Sequence, residues 1–126
     1  VKILLVDDDP IVILLQKKLM EKAGIGPEVS SFNNGEDLLG FLADNAKQEE
    51  DYLMFLDINM PGLSGWDVLD TLEAMKFNQN LDVIIITSSI EPADKRKAKS
   101  YKRIVDFWVK PFSIQDFIQL KEKFKL

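Results

Sequence analysis

Five short apolar runs, each leading into a polar residue and each followed by a stretch of helical spacing, restrict this chain more than any other feature. The runs are KILLV at 2–6, EVSSF at 28–32, YLMFL at 52–56, DVIII at 82–86 and VDFWV at 105–109. KILLV, YLMFL and DVIII are apolar after their first residue or throughout, as expected of strands buried on both faces. Between the runs, helical spacing is predicted over 11–23 (IVILLQKKLMEKA, stopped by Gly24), 36–47 (through Leu38, Leu39, Leu42 and Ala46), 66–77 (through Val68, Leu69, Leu72 and Met75), 91–103 and 114–125. Asp9-Pro10 suits a helix start, Pro92 falls in a first turn, and Ser113 is placed to cap the last helix. In the first helix Ile11, Val12, Leu15, Leu19 and Ala23 share one arc, which leaves Ile13 and Leu14 outside it. The stretches QEED (48–51) and INMPGLSG (58–65) read as loops. Five βα units in succession predict an α/β fold, with a five-stranded parallel sheet covered by helices on both faces and a single domain over residues 1–126.

In an open parallel sheet, ligands bind beyond the carboxyl ends of the strands. This chain places Asp7, Asp8 and Asp9 after the first run, Asp57 after the third, Thr87 after the fourth (in Thr87-Ser88-Ser89) and Lys110 after the fifth. An aspartate after a strand is by itself a common turn or cap residue, and Asp9 fits that description. The convergence of four strand ends carries more. Neighbouring carboxylates cannot all stay ionised without a compensating cation, and a carboxylate can act as a nucleophile toward phosphorus. A lysine and a hydroxyl beside it can neutralise and hydrogen-bond phosphoryl oxygens.

Composition narrows the chemistry. The 126 residues contain no cysteine and no histidine, which excludes disulfides, thiolate or imidazole metal sites and phosphohistidine on this chain. Any metal must be held by hard oxygen ligands, which favours Mg²⁺, Mn²⁺ or Ca²⁺. The net charge of −5 argues against direct contact with nucleic acid. No run reaches membrane-spanning length, and the expected location is the cytoplasm.

With these residues in place, the chain resembles the receiver domain of bacterial two-component response regulators, of the chemotaxis-receiver type. LLVDDDP, MFLDINMPGLSGWDVL, VIIITSS and FWVKPF resemble the family's motifs in order and spacing over essentially the whole chain. The resemblance implies a flavodoxin-like, doubly wound (βα)5 fold and a phosphoacceptor switch rather than an enzyme. It implies that Asp57 accepts the phosphoryl group and that Asp7, Asp8, Asp57 and the backbone carbonyl of Asn59 hold Mg²⁺. Thr87 and Lys110 would contact the phosphoryl oxygens, with Phe107 as the coupled aromatic. Gly65 would permit close backbone packing after the acceptor loop, and Lys110-Pro111 would be a cis bond. The implied partner is a histidine kinase or a histidine phosphotransfer protein, with dimerisation on phosphorylation left open. Ile13 and Leu14 either pack under a neighbouring loop or, with Ile11, are candidate docking residues for that partner.

Three positions depart from the family's habit. Phe107 stands where a tyrosine is frequent, so it lacks a hydroxyl and is expected to favour the buried position. Ser88 follows the switch threonine in place of alanine or glycine. Residues 91–105 hold six basic and two acidic residues, a surface either simply solvated or facing an acidic partner. Three rivals remain. A haloacid-dehalogenase-like phosphatase would use Asp7-Asp8-Asp9 but leave Asp57 idle and lacks the acidic pair after its lysine. A flavodoxin-like cofactor binder would not put three aspartates where phosphate must sit. A receiver fold that no longer takes phosphate is a third, with the complete acid–threonine–lysine set against it.

Overall fold

The computed structural model describes residues 1–45, 49–88 and 91–126. Five strands and five helices alternate without exception: β1 (Lys2–Val6), α1 (Pro10–Lys22), β2 (Val29–Phe32), α2 (Gly35–Asp44), β3 (Tyr52–Asp57), α3 (Gly65–Ala74), β4 (Leu81–Thr87), α4 (Pro92–Ala98), β5 (Ile104–Val109) and α5 (Ile114–Phe124). All strand pairs are parallel and the sheet order is β2-β1-β3-β4-β5. β1, β3 and β4, the apolar runs, occupy the centre, where both faces are covered. Leu4, Val6, Met54, Leu56, Val83 and Ile85 meet α2 and α3 through Leu38, Leu42, Val68, Leu69 and Leu72. Ile3, Leu5, Leu53, Phe55, Ile84 and Ile86 meet α1 and α5 through Ile13, Met20, Phe117 and Leu120. Alternate residues of one strand thus build two separate cores, the period-two consequence of a pleated sheet.

The helix ends follow local chemistry. Asp9 caps α1 by accepting from the Ile11 N–H at 2.9 Å, with Pro10 at the first helical position. Ser64 and Ser113 each form a reciprocal capping box, with Asp67 and Asp116 respectively. Gly24, at φ +77°, follows the end of α1.

Several expectations are corrected. The face that α1 turns to the sheet is Ile13, Gln16 and Met20, while Ile11 is 74% exposed and Leu15 43%. Val12, Leu19 and Ala23 of the expected arc do pack, partly buried, against this core, while the fully buried Gln16 interrupts the apolar stripe and carries the inward face round to Ile13. The third helix ends at Ala74 rather than 77, because Lys76 enters the left-handed region at φ +54° and Phe77 N–H folds back to the Leu72 carbonyl at 3.1 Å; Met75 is exposed. The fourth helix ends at Ala98 rather than 103. There the Ser100 hydroxyl donates to the Lys97 carbonyl at 2.7 Å and the Tyr101 N–H to Ala98 at 3.2 Å, turning the chain toward β5. Arg103, expected on a basic helix, instead donates to the carbonyls of Phe77 and Gln79 at the base of the sheet. Ala46 and Lys47 of the second helix, Gln48 of the polar loop and Ser89 after β4 lie outside the described residues.

At the entry to α3 the helix meets the backbone at the end of β3. A Cβ added to Gly65 would lie 2.8 Å from both the Asp57 carbonyl oxygen and Ile58 Cα, backbone atoms that cannot rotate away. Gly65→Ala is expected to destabilise the fold by about 1–3 kcal/mol in urea denaturation, since the helix must move off the end of β3 to admit one methyl group.

Candidate functional site

The polar residues after the strands meet at one edge because the register brings them level. Val6 pairs with Leu56, so Asp7 and Asp57 follow side by side; Asp57 pairs with Ile86, so Thr87 follows next; Thr87 pairs with Val109, so Lys110 closes the row. Asp7 and Thr87 are completely buried and Asp57 is 3% exposed, whereas Asp8 is open to solvent. The Lys110 ammonium lies 2.9 Å from Asp7 Oδ2 and 3.8 Å from Asp57 Oδ2. Backbone N–H groups hold the opposite carboxylate oxygens: Asp9 donates to Asp7 Oδ1 at 2.9 Å and Asn59 to Asp57 Oδ1 at 3.0 Å. Lys110-Pro111 is cis, and the Lys110 N–H donates to the Thr87 carbonyl at 2.8 Å.

Burial pushes the Asp57 carboxyl up from 3.8 to about 6; the Asn59 N–H pulls it down, Asp7 pushes it up, Lys110 lowers it and Asp8 raises it. One lysine therefore does not neutralise the row. Carboxylate oxygens of Asp7, Asp8 and Asp57 all lie within 4.8 Å of one another. A hard, small divalent cation fits this set: every donor is oxygen, three can converge, and the local charge is in deficit. Mg²⁺ and Mn²⁺ satisfy that description.

The structure thus brings Asp7, Asp8, Asp57, Thr87 and Lys110 together. Asn59 joins them in a way the sequence did not suggest: its side-chain amide donates to the Thr87 hydroxyl oxygen at 3.2 Å, linking the loop after β3 to the end of β4. Its only trace in the sequence is its place two residues after Asp57, in a loop without periodicity. Phe107 is half-buried against the core between the sheet and α2 and α3, with the Lys95 ammonium 6.0 Å from its ring centre. Of the candidate docking residues, Ile11 and Leu14 are 74% and 54% exposed, but Ile13, at 6%, belongs to the core under α1 and is removed from that set.

A sequence model of the family described as "Response regulator receiver domain" matches residues 3–122. Among curated proteins, the transcriptional regulatory protein MalR of Bacillus subtilis is 32% identical over 120 residues, covering 93% of this chain and 47% of MalR. The chain therefore spans about half the length of that relative. Among solved structures, a two-component response regulator from Cytophaga hutchinsonii superposes with a TM-score of 0.82 at 28% identity, covering 97% of this chain and 94% of the other. A CheY-like response regulator receiver domain protein from Methanospirillum hungatei gives 0.76 at 27%, covering 98% and 92%.

The raised carboxyl has a measurable consequence. Asp57 ionises near 3.8 when unfolded and near 6 when folded, so the folded state holds its proton more tightly across that window. Its contribution to stability falls as the pH rises through it. In chelator-treated buffer, Asp57→Asn is expected to stabilise the protein by about 2–3 kcal/mol above roughly pH 7. The gain should vanish below about pH 3, where the wild-type carboxyl is protonated in both states. Urea denaturation across pH measures both limits.

Proposed function

Because this chain belongs to the response regulator receiver domain family, we propose that it is a phosphoacceptor switch of two-component signalling, with Asp57 as the acceptor. The observation that supports this most is the row itself: a buried Asp57 whose carboxylate faces a lysine, beside two further acids and a buried threonine, at the carboxyl edge of a parallel sheet. An Asp57 oxygen attacks the phosphorus of a phosphohistidine on a kinase or phosphotransfer protein. The new P–O bond forms as the P–N bond breaks, and the departing imidazole leaves with the electron pair and takes up a proton. A carboxyl near 6 is ionised at cytoplasmic pH and is a more basic nucleophile than an exposed aspartate.

Each neighbour has a part. Lys110 is within reach of a phosphoryl oxygen on Asp57 and can leave Asp7 only in exchange for equal or greater negative charge. Asp7, Asp8, Asp57 and the Asn59 carbonyl would hold Mg²⁺ or Mn²⁺, which when bound supplies positive charge to the phosphoryl oxygens. Thr87 reads the arriving charge through its hydroxyl, and Phe107 responds to the space Thr87 vacates. Phosphorylation adds about 1.5 to 2 negative charges at the sheet edge, and the two packings shift in population by their difference in contact with it. Ile11 and Leu14 form the apolar part of the surface offered to the phosphodonor.

Intact-mass measurement after incubation with acetyl phosphate and Mg²⁺ tests the reading. A single phosphoryl adduct is expected, abolished by EDTA and by Asp57→Asn. An adduct that survives Asp57→Asn but is lost in Asp7→Asn would favour the phosphatase-like chemistry. No adduct from either acetyl phosphate or a phosphorylated histidine kinase would leave a phosphate-independent interaction module.

A further inference from the structure

The basic segment after residue 91 is the one sequence feature that the acceptor site does not account for, and its disposition is uneven. α4 is seven residues long and buries one side chain, Ala98. Its first turn has no side-chain cap, since Glu91 makes no capping hydrogen bond. By contrast α1, α2 and α3 each bury three or four residues against the sheet. A helix with so little core contact depends on whatever fixes its ends.

What fixes it is a junction with α3. The Tyr101 ring, three residues past α4, stacks on Trp66 of α3 with centroids 5.5 Å apart and an interplanar angle of 21°. The Tyr101 hydroxyl donates to Asp70 Oδ1, one turn further along α3, at 2.7 Å. From α4 itself, the Lys97 ammonium sits 5.0 Å from the Trp66 ring centre. Burial and the neighbouring Asp70 push the Tyr101 phenol up to about 12, so it remains a donor at neutral pH. At its other side α4 touches the candidate switch aromatic, through Lys95 over Phe107. α4 is thus suspended between Trp66 and Phe107.

We propose that the Trp66–Tyr101–Asp70 junction, with Lys97 over the Trp66 ring, is a releasable seat for α4 that holds the resting state against the change driven from Thr87 and Phe107. This rests on the phosphoacceptor reading and adds to it the element that opposes switching. Contacts at half-exposed positions suit that role. They are individually modest, so they can be exchanged, whereas a helix anchored by several buried side chains could shift only by opening the core. A movement of Phe107 displaces Lys95, and α4 then pivots at the point where Tyr101 meets α3.

A lock made only in the resting state lowers the apparent affinity for anything that selects the switched state. Beryllofluoride with Mg²⁺, which mimics a phosphoryl group on a carboxylate, is the probe. Tyr101→Phe keeps the ring stack and removes the hydrogen bond, and Asp70→Ala removes the same bond from the exposed face of α3, so neither disturbs the core. Both are expected to bind beryllofluoride about three- to tenfold more tightly than wild type. In the wild type, the Trp66 indole resonance should lose the ring-current shift of Tyr101 when beryllofluoride binds. Unchanged or weaker affinity in both variants, or an unmoved Trp66 resonance, would overturn the lock while leaving the phosphoacceptor reading intact. Failure of the wild type and both variants to bind beryllofluoride would overturn that reading and the lock with it.

Discussion

Asp7 and Asp57 lose nearly all their water at the end of the sheet, and a single ammonium group, that of Lys110, stands against both. Two buried carboxylates with one cation and a third acid alongside make an unstable balance. Backbone N–H groups from Asp9 and Asn59 fix the geometry, but they do not supply the missing charge. Burial is the largest cause of the upward displacement of the Asp57 carboxyl, and the neighbouring Asp7 and Asp8 add to it. The site is consequently sensitive to whatever brings or removes charge, which is the property a switch requires. α3 closes tightly on the end of β3 at Gly65, against the backbone of Asp57 and Ile58.

Much of this was legible beforehand, for identifiable reasons. Central strands of a parallel sheet must be apolar on both faces, so KILLV, YLMFL and DVIII announce themselves and the residues that follow them define the ligand edge. Asp7, Asp57, Thr87 and Lys110 were found by that logic, without knowledge of any contact. α1 was harder. A buried glutamine at position 16 breaks the stripe from within, so Ile11 and Leu15 lie exposed in the expected arc beside Val12, Leu19 and Ala23, which pack, and Ile13 outside it is buried. The Asn59 amide bond to Thr87 joins residues 28 apart through a loop side chain, and no local pattern encodes it.

The basic segment shows a second limit of linear reading. Seen as a helix over 91–103 it is a band of charge; in the fold its members separate. Arg103 ties strand ends together through backbone carbonyls, Lys97 lies over Trp66 and Lys95 over Phe107. Most of this charge is solvated, as one of the two expectations had it, and Arg103 is the member drawn into the fold. Lys95 and Lys97 reach from α4 to two different elements, Phe107 of β5 and Trp66 of α3.

The acidic row is short of positive charge, which a divalent cation would supply. The most direct measurement is the stability of the wild type and of Asp8→Asn in urea at about pH 8, with EDTA and then with increasing Mg²⁺. Asp8 is exposed, so its replacement should leave the metal-free stability nearly unchanged. The account predicts that Mg²⁺ stabilises the wild type progressively, by about 2.7 kcal/mol at a hundredfold excess over its dissociation constant, and stabilises Asp8→Asn far less. An equal response in the two proteins, or none in the wild type, would contradict it.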